Sequence, residues 1–177
     1  MSEIWYTAVE PFTPARSDWP RYVEETRRTQ LEEVVSLDLL LCPSLVDDVE
    51  ADDWTFLADF PHTGFFVSLD YLKERLEGVR HRNLLAVIYK PEQEERDRIL
   101  EDAEFIGYDL VEDATGVSAL TNGEGFGFTF ASEELNRFGL IDTFQRALEV
   151  RQALRDQAPD RFHDDAEVWA VWRLGDR

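Results

Sequence analysis

One cysteine, Cys42, stands among 177 residues. That excludes an intrachain disulfide and fits a reducing compartment. Lysine is nearly as scarce: Lys73 and Lys90 are the two, and every other basic residue is arginine. No run of about 18 apolar residues exists, so no segment reads as a membrane-spanning helix. The opening MSEIWYTAVEPF lacks a basic region and a long apolar stretch, and does not read as a secretory signal. The chain has no H-x-x-x-H, no C-x-x-C and no G-x-S-x-G. Those absences remove the common zinc spacings and the nucleophile elbow of the α/β-hydrolases, and nothing implies a cofactor. Internal repeats and low-complexity tracts are also missing.

The largest deficit is positive charge. Lys and Arg total 18 against 38 Asp and Glu, a formal net of −20. Such a surface repels nucleic acid, which proteins grip through Lys and Arg on phosphates. It repels anionic membranes for the same reason. It attracts a basic protein and speeds the encounter. Two origins of the charge stay open. It serves a basic partner, or it is the habit of a salt-adapted or GC-rich host, in which case the chain is a housekeeping domain binding a small ligand or subunit. Mimicry of DNA ranks below both, because the acids are spread over all segments and mixed with arginine.

Against these absences, 44% of the residues are hydrophobic and 12% aromatic. A chain of this length buries roughly 70% of its unfolded surface, so a real core is expected. Ile4 to Val9 reads as a strand. Ser17 or Asp18 caps a helix with Pro20 in its first turn, running to about Glu33. VVSLDLLL, Val34 to Leu41, reads as a strand ended by Pro43. Gly64 to Val67 reads as a short strand, and Ser68 caps a helix with Leu69, Leu72 and Leu76 on one face, ending at Gly78. NLLAVIY, Asn83 to Tyr89, is continuously apolar and predicts a strand buried on both faces. Pro91 opens a helix carrying the Glu92/Arg96 and Glu94/Arg98 pairs. Phe105 to Val111 and Val117 to Thr121 predict an antiparallel hairpin around EDATG. Ser132 starts a short helix to Phe138, closed by Gly139. Asp142 and Gln145 form a capping box for the longest helix, Thr143 to about Gln157, with Phe144, Ala147, Leu148 and Leu154 inward. EVWAVWRL, Glu167 to Leu174, predicts a C-terminal strand. Strands and helices mix without strict alternation: one α+β domain, its mixed, mostly antiparallel sheet packed with helices.

LTNGEGFGFTF, Leu120 to Phe130, has three closely spaced glycines but lacks the lysine and the following helix of a phosphate loop. Asn122-Gly123 is instead a hairpin turn, and Phe126, Phe128 and Phe130 alternate along one face of a strand. His62, His81 and His163 read as ordinary loop residues and Cys42 as a small buried one. An enzyme would need two of His62, His81 and Cys42 to converge in one pocket. The remaining candidate is an acidic segment in which Asp47, Asp48, Glu50, Asp52, Asp53 and Asp59 surround Trp54. An acidic rim around an aromatic anchor suits a basic partner. Alternatively, Trp54 and Leu57 face the core and the acids form a solvated helix face.

The run FIGYDLVEDATGVSALTNGEGF, continued by ELNRFGLI and EVWAVWRL, resembles a group of small uncharacterised bacterial proteins with a GYDLV…SALTN core. The resemblance covers roughly the last 75 residues and carries no assigned activity. In size, acidity and α+β make-up the chain is also similar to immunity proteins of bacterial polymorphic toxin systems. That likeness implies a non-enzymatic cytoplasmic inhibitor of a basic toxin or nuclease; the acidic segment read above then offers Asp47, Asp48, Glu50, Asp52, Asp53, Trp54 and Asp59 as the partner-binding residues.

Overall fold

A computed structural model describes residues 3–46, 64–121, 129–156 and 163–175. Among these residues, four strands of five to ten residues form one antiparallel sheet. In chain order the elements are β1 (Trp5–Val9), α1 (Trp19–Thr26), α2 (Leu69–Arg75), β2 (Asn83–Tyr89), β3 (Ala103–Glu112), a 3-10 turn (Ser132–Glu134), α3 (Phe144–Asp156) and β4 (Ala166–Leu174). The spatial order is β1-β2-β4-β3 with every neighbour antiparallel. The α+β expectation holds.

The C-terminal strand lies inside the sheet because nearly all of its residues are apolar enough to be covered on both faces. Residues directly opposite on paired strands share a face. A bulge between Phe105 and Gly107 resets the β3–β4 register. It brings Phe105, opposite Trp172, and Tyr108, opposite Ala170, to the same face. There Phe105 meets Trp172 edge-on at 5.2 Å, and Tyr108 meets Phe144 of α3 at 5.7 Å. The other face carries Trp169, stacked on Phe65 at 5.1 Å and touching Tyr89 at 4.7 Å. Both tryptophans are fully buried.

Several local expectations give way to longer-range bonds. α1 ends at Thr26, well short of Glu33, because Arg27 turns left-handed (φ 57°) and the Thr26 hydroxyl bonds back to the Tyr22 carbonyl. Asp18 occupies the cap position, but its carboxylate is taken by Arg16. Val34 to Leu41 is not a strand. A bridge from Val34 to Phe12 is its one ladder contact, and the remaining backbone donors turn to scattered acceptors. Gly64 to Val67 is likewise reduced to a bridge between Phe66 and Tyr6. Pro91 opens no helix. Instead Tyr108 donates to Glu94 and accepts from the Glu95 N–H, pulling this segment onto the sheet face. Val117 to Thr121 keeps one bridge, Val111 to Ser118, around the EDATG turn. The short helix after Ser132 shrinks to the 3-10 turn. For α3, Thr143 accepts from the Arg146 N–H at 3.3 Å, while Asp142 accepts from Asn136. The helix after Ser68 forms as expected, with Ser68 accepting from the Tyr71 N–H. The Asn122-Gly123 turn and Phe126 and Phe128 lie outside the described residues; Phe130 is buried.

Candidate functional site

Asp47, Asp48, Glu50, Asp52, Asp53, Trp54 and Asp59 all lie outside the described residues, as do His62 and the glycine-rich loop. The chemistry that can be placed falls in three regions.

The first is a pair of buried carboxylates. Asp109 points from β3 toward the irregular 34–42 segment. It accepts the Ser36 hydroxyl at 2.7 Å, the Leu37 N–H and Leu110 N–H at 2.9 Å each, and the Ser118 hydroxyl. Asp38 accepts the Leu40 and Leu41 N–H groups at 2.8 Å each, the Ser118 N–H at 2.8 Å and the Thr121 hydroxyl at 2.6 Å. The two serine oxygens in turn accept the Asp38 and Leu120 N–H groups. Each carboxylate therefore receives four donors, about its full capacity. Burial pushes the Asp109 carboxyl above its ordinary value, and the hydrogen bonds from Ser118, Ser36 and Leu37 pull it back. Oxygens so completely engaged have no lone pair left for a substrate. This is a clasp, and it gives a structural role to residues of the GYDLV…SALT pattern. Asp109 lies in GYDLV, and Ser118 and Thr121 lie in SALT.

The rest of the pattern joins the same construction. At Gly107, φ is +139°, and a Cβ there would stand 2.7 Å from the Leu140 Cβ. Close approach lets the Ile141 backbone pair with Tyr108. Asn136 ties that loop down by donating to the Ile106 carbonyl at 2.8 Å and accepting from Phe138 and Leu140. SALT and LNRFGLI thus close the free edge of β3, the GYDLV strand, on the side away from the terminal strand β4. Sequence reasoning missed the clasp; the signal was an aspartate inside an otherwise apolar run, at Asp38 and again at Asp109.

The second region holds the nucleophile and histidine candidates. Cys42 is buried with its thiol near the Val34 carbonyl at 3.6 Å, and burial pushes its pKa up to about 12. His163 is not an ordinary loop residue. It is buried, left-handed (φ 75°), and its Nδ1 lies 2.6 Å from a Glu112 oxygen. Burial lowers its pKa, opposed by Glu112 and Asp165. His81 is exposed. Nearby, Glu167 is gripped by Arg155 at 2.6 Å, Arg151 at 3.1 Å and Lys90 at 3.2 Å. Among the described residues no group of three or more His, Cys, Asp or Glu could hold a metal ion, and no helix is long and apolar enough to cross a membrane.

The third region is the surface beside the start of β3. Residues 91–102 form an irregular loop anchored through Glu94, which accepts from Tyr108 and, at 3.0 Å, from the Phe144 N–H. Burial alone would raise Glu94, but these bonds outweigh it and hold the carboxyl below its ordinary value. Ile99 stands on this loop 94% exposed. Two open clefts flank its foot. One, about 530 Å³, is floored by Phe105, Ile106 and Phe138; the other, about 410 Å³, is lined by Asp102, Leu174 and Gly175; Glu104 borders both.

In comparison with known proteins, no protein family, no curated protein and no solved structure matches this chain.

Proposed function

We propose that the chain is a non-enzymatic acidic binding protein of the bacterial cytoplasm, which neutralises a basic toxin or nuclease as an immunity protein does. The observation that carries this reading is the net charge of −20. The way the cations are used strengthens it. Arg16, Arg21, Arg137, Arg146 and Arg173 each sit within 4 Å of one of the chain's own carboxylates. Cations spent in this way leave the surplus carboxylates to set the external field. A field of that sign steers a basic macromolecule and repels polyanions. The buried carboxylates, by contrast, are consumed by the fold, so binding falls to the surface ones.

The test is kinetic. Association with a cognate basic protein should slow steeply as ionic strength rises, since salt screens exposed charges beyond about 10 Å at 0.1 M. A rate constant that stays flat between low and high salt defeats the proposal.

A further inference from the structure

We infer that the cleft of about 530 Å³ between the start of β3 and the 136–142 loop binds a free α-amino acid with a large apolar side chain. Such a site is independent of the acidic-binder reading. Its walls come from three segments, each fixed on its own. Tyr108 and the Phe144 N–H pin Glu94, and with it the loop that carries Arg96. Glu104, Phe105 and Ile106 belong to β3. On the far wall Asn136 donates to the Ile106 carbonyl and to Asp142, and its oxygen accepts from the Phe138 and Leu140 N–H groups. The volume falls in the range of small-ligand sites, roughly 300–1,000 Å³, and a site already formed loses little entropy on binding.

Among the described residues the charged lining is Arg96 and Arg137 against Glu104 and Asp142, so the cleft is locally neutral in a chain of net −20. These charges satisfy one another poorly. Arg96 reaches Asp142 at 3.9 Å, and Arg137 reaches Glu104 at 3.4 Å and Glu32 at 3.5 Å. A charge-assisted hydrogen bond spans roughly 2.7–2.9 Å. Exposure does not explain the slack, because Arg21 is more exposed and still meets Glu25 at 2.7 Å. Exposed pairs this loose are exchanged at little cost. A ligand carboxylate gives the guanidiniums the bidentate contact they lack, and a ligand ammonium takes their place beside Glu104 and Asp142. Phe105, Ile106 and Phe138 floor the cleft and receive an apolar side chain. An anion alone meets two uncompensated carboxylates, a cation alone meets two arginines, and an uncharged ligand leaves all four groups as they are. Charge complementarity therefore selects a zwitterion with an apolar body.

L-phenylalanine, phenylethylamine, hydrocinnamate and glycine are titrated into the full chain, with the Phe105, Ile106 and Phe138 amide resonances followed by NMR. L-phenylalanine should shift all three saturably. Phenylethylamine lacks the carboxylate, hydrocinnamate the ammonium and glycine the side chain. Each should bind at least about tenfold more weakly, the factor set by one lost hydrogen bond to a charged group or by one unburied ring. Arg96→Gln should weaken L-phenylalanine by about tenfold and leave phenylethylamine unchanged, a pattern that a merely loosened fold would not give; Arg21→Gln is the control. The Arg96 guanidinium makes only the 3.9 Å contact among the described residues, so the variant keeps its fold, which circular dichroism verifies. No saturable shift at these amides, equal binding of the analogues, or an L-phenylalanine affinity indifferent to Arg96→Gln overturns the site. None of these results touches the salt dependence of partner association, so the two proposals fail separately.

Discussion

Asp38 and Asp109 are joined through a single residue: Ser118 gives its backbone N–H to one carboxylate and its hydroxyl to the other. Two like charges are thereby buried within one network and held apart from water. The arrangement is stable only while every donor stays in place, because an unpaired buried charge costs far more than a hydrogen bond returns. Asp38→Ala would orphan the Leu40, Leu41 and Ser118 N–H groups. We expect it to cost at least about 3 kcal/mol in urea denaturation, at roughly 1–3 kcal/mol per abandoned donor. Ser118→Ala removes one donor and one acceptor and should cost less. Equal midpoints for wild type and Asp38→Ala would show that the clasp contributes nothing.

The same network has a pH signature. Asp109 holds its proton more tightly in the folded chain than its ordinary 3.8. A folded state that binds a proton more tightly gains stability as pH falls. Asp109 alone thus stabilises the fold on acidification from above its raised pKa down to about 3.8, its unfolded value. Glu94 and Glu134, held below their ordinary 4.5, act in the opposite sense. Their contribution is present above 4.5 and is lost as pH falls through their folded values. Carbon-13 titration should find the Asp109 carboxyl midpoint above 3.8 and those of Glu94 and Glu134 below 4.5. An Asp109 midpoint below 3.8 would mean that the four donors outweigh burial.

How much of this was legible in the residues depends on where the determining bonds lie. Asn83 to Tyr89 was readable to its ends because burial on both faces leaves an unbroken apolar run, and the terminal strand was readable for the same reason. VVSLDLLL misled because its composition is that of a strand while its backbone donors go to Asp38, Asp109, Phe138 and Gly116, far apart in sequence. The loop after Pro91 misled in the same way. Its i, i+4 acid–base pairs favour a helix by a few tenths of a kcal/mol each, less than the bonds that draw Glu94 and Glu95 to Tyr108. Ile99 was invisible because exposure, unlike apolarity, is not written in the residue itself.

Cys42 should behave as a buried hydrophobe. With its pKa raised to about 12, almost no thiolate exists at neutral pH, and the side chain is fully covered. An aromatic disulfide reagent should label the native chain only as fast as the fold opens, and the urea-unfolded chain at once. Rapid stoichiometric labelling of the native state would mean that the thiol reaches solvent and would reopen a nucleophilic role.

Gly107 tests how the sheet edge is closed. Its φ of +139° disfavours any side chain, and an added methyl would press on Leu140 at 2.7 Å and on the Ile141 carbonyl at 3.0 Å. The strained backbone and the overpacked contact each cost about 1–3 kcal/mol. The cheapest escape for Gly107→Ala is to move the 136–141 loop outward, which breaks the Tyr108–Ile141 pairing and the Asn136 bond to Ile106. Hydrogen exchange should therefore speed up at the Tyr108 and Ile141 amides while the β2–β4 amides, on the far side of β4, stay protected. Uniform acceleration across all four strands would show instead that the bulge is part of the global core rather than a local latch.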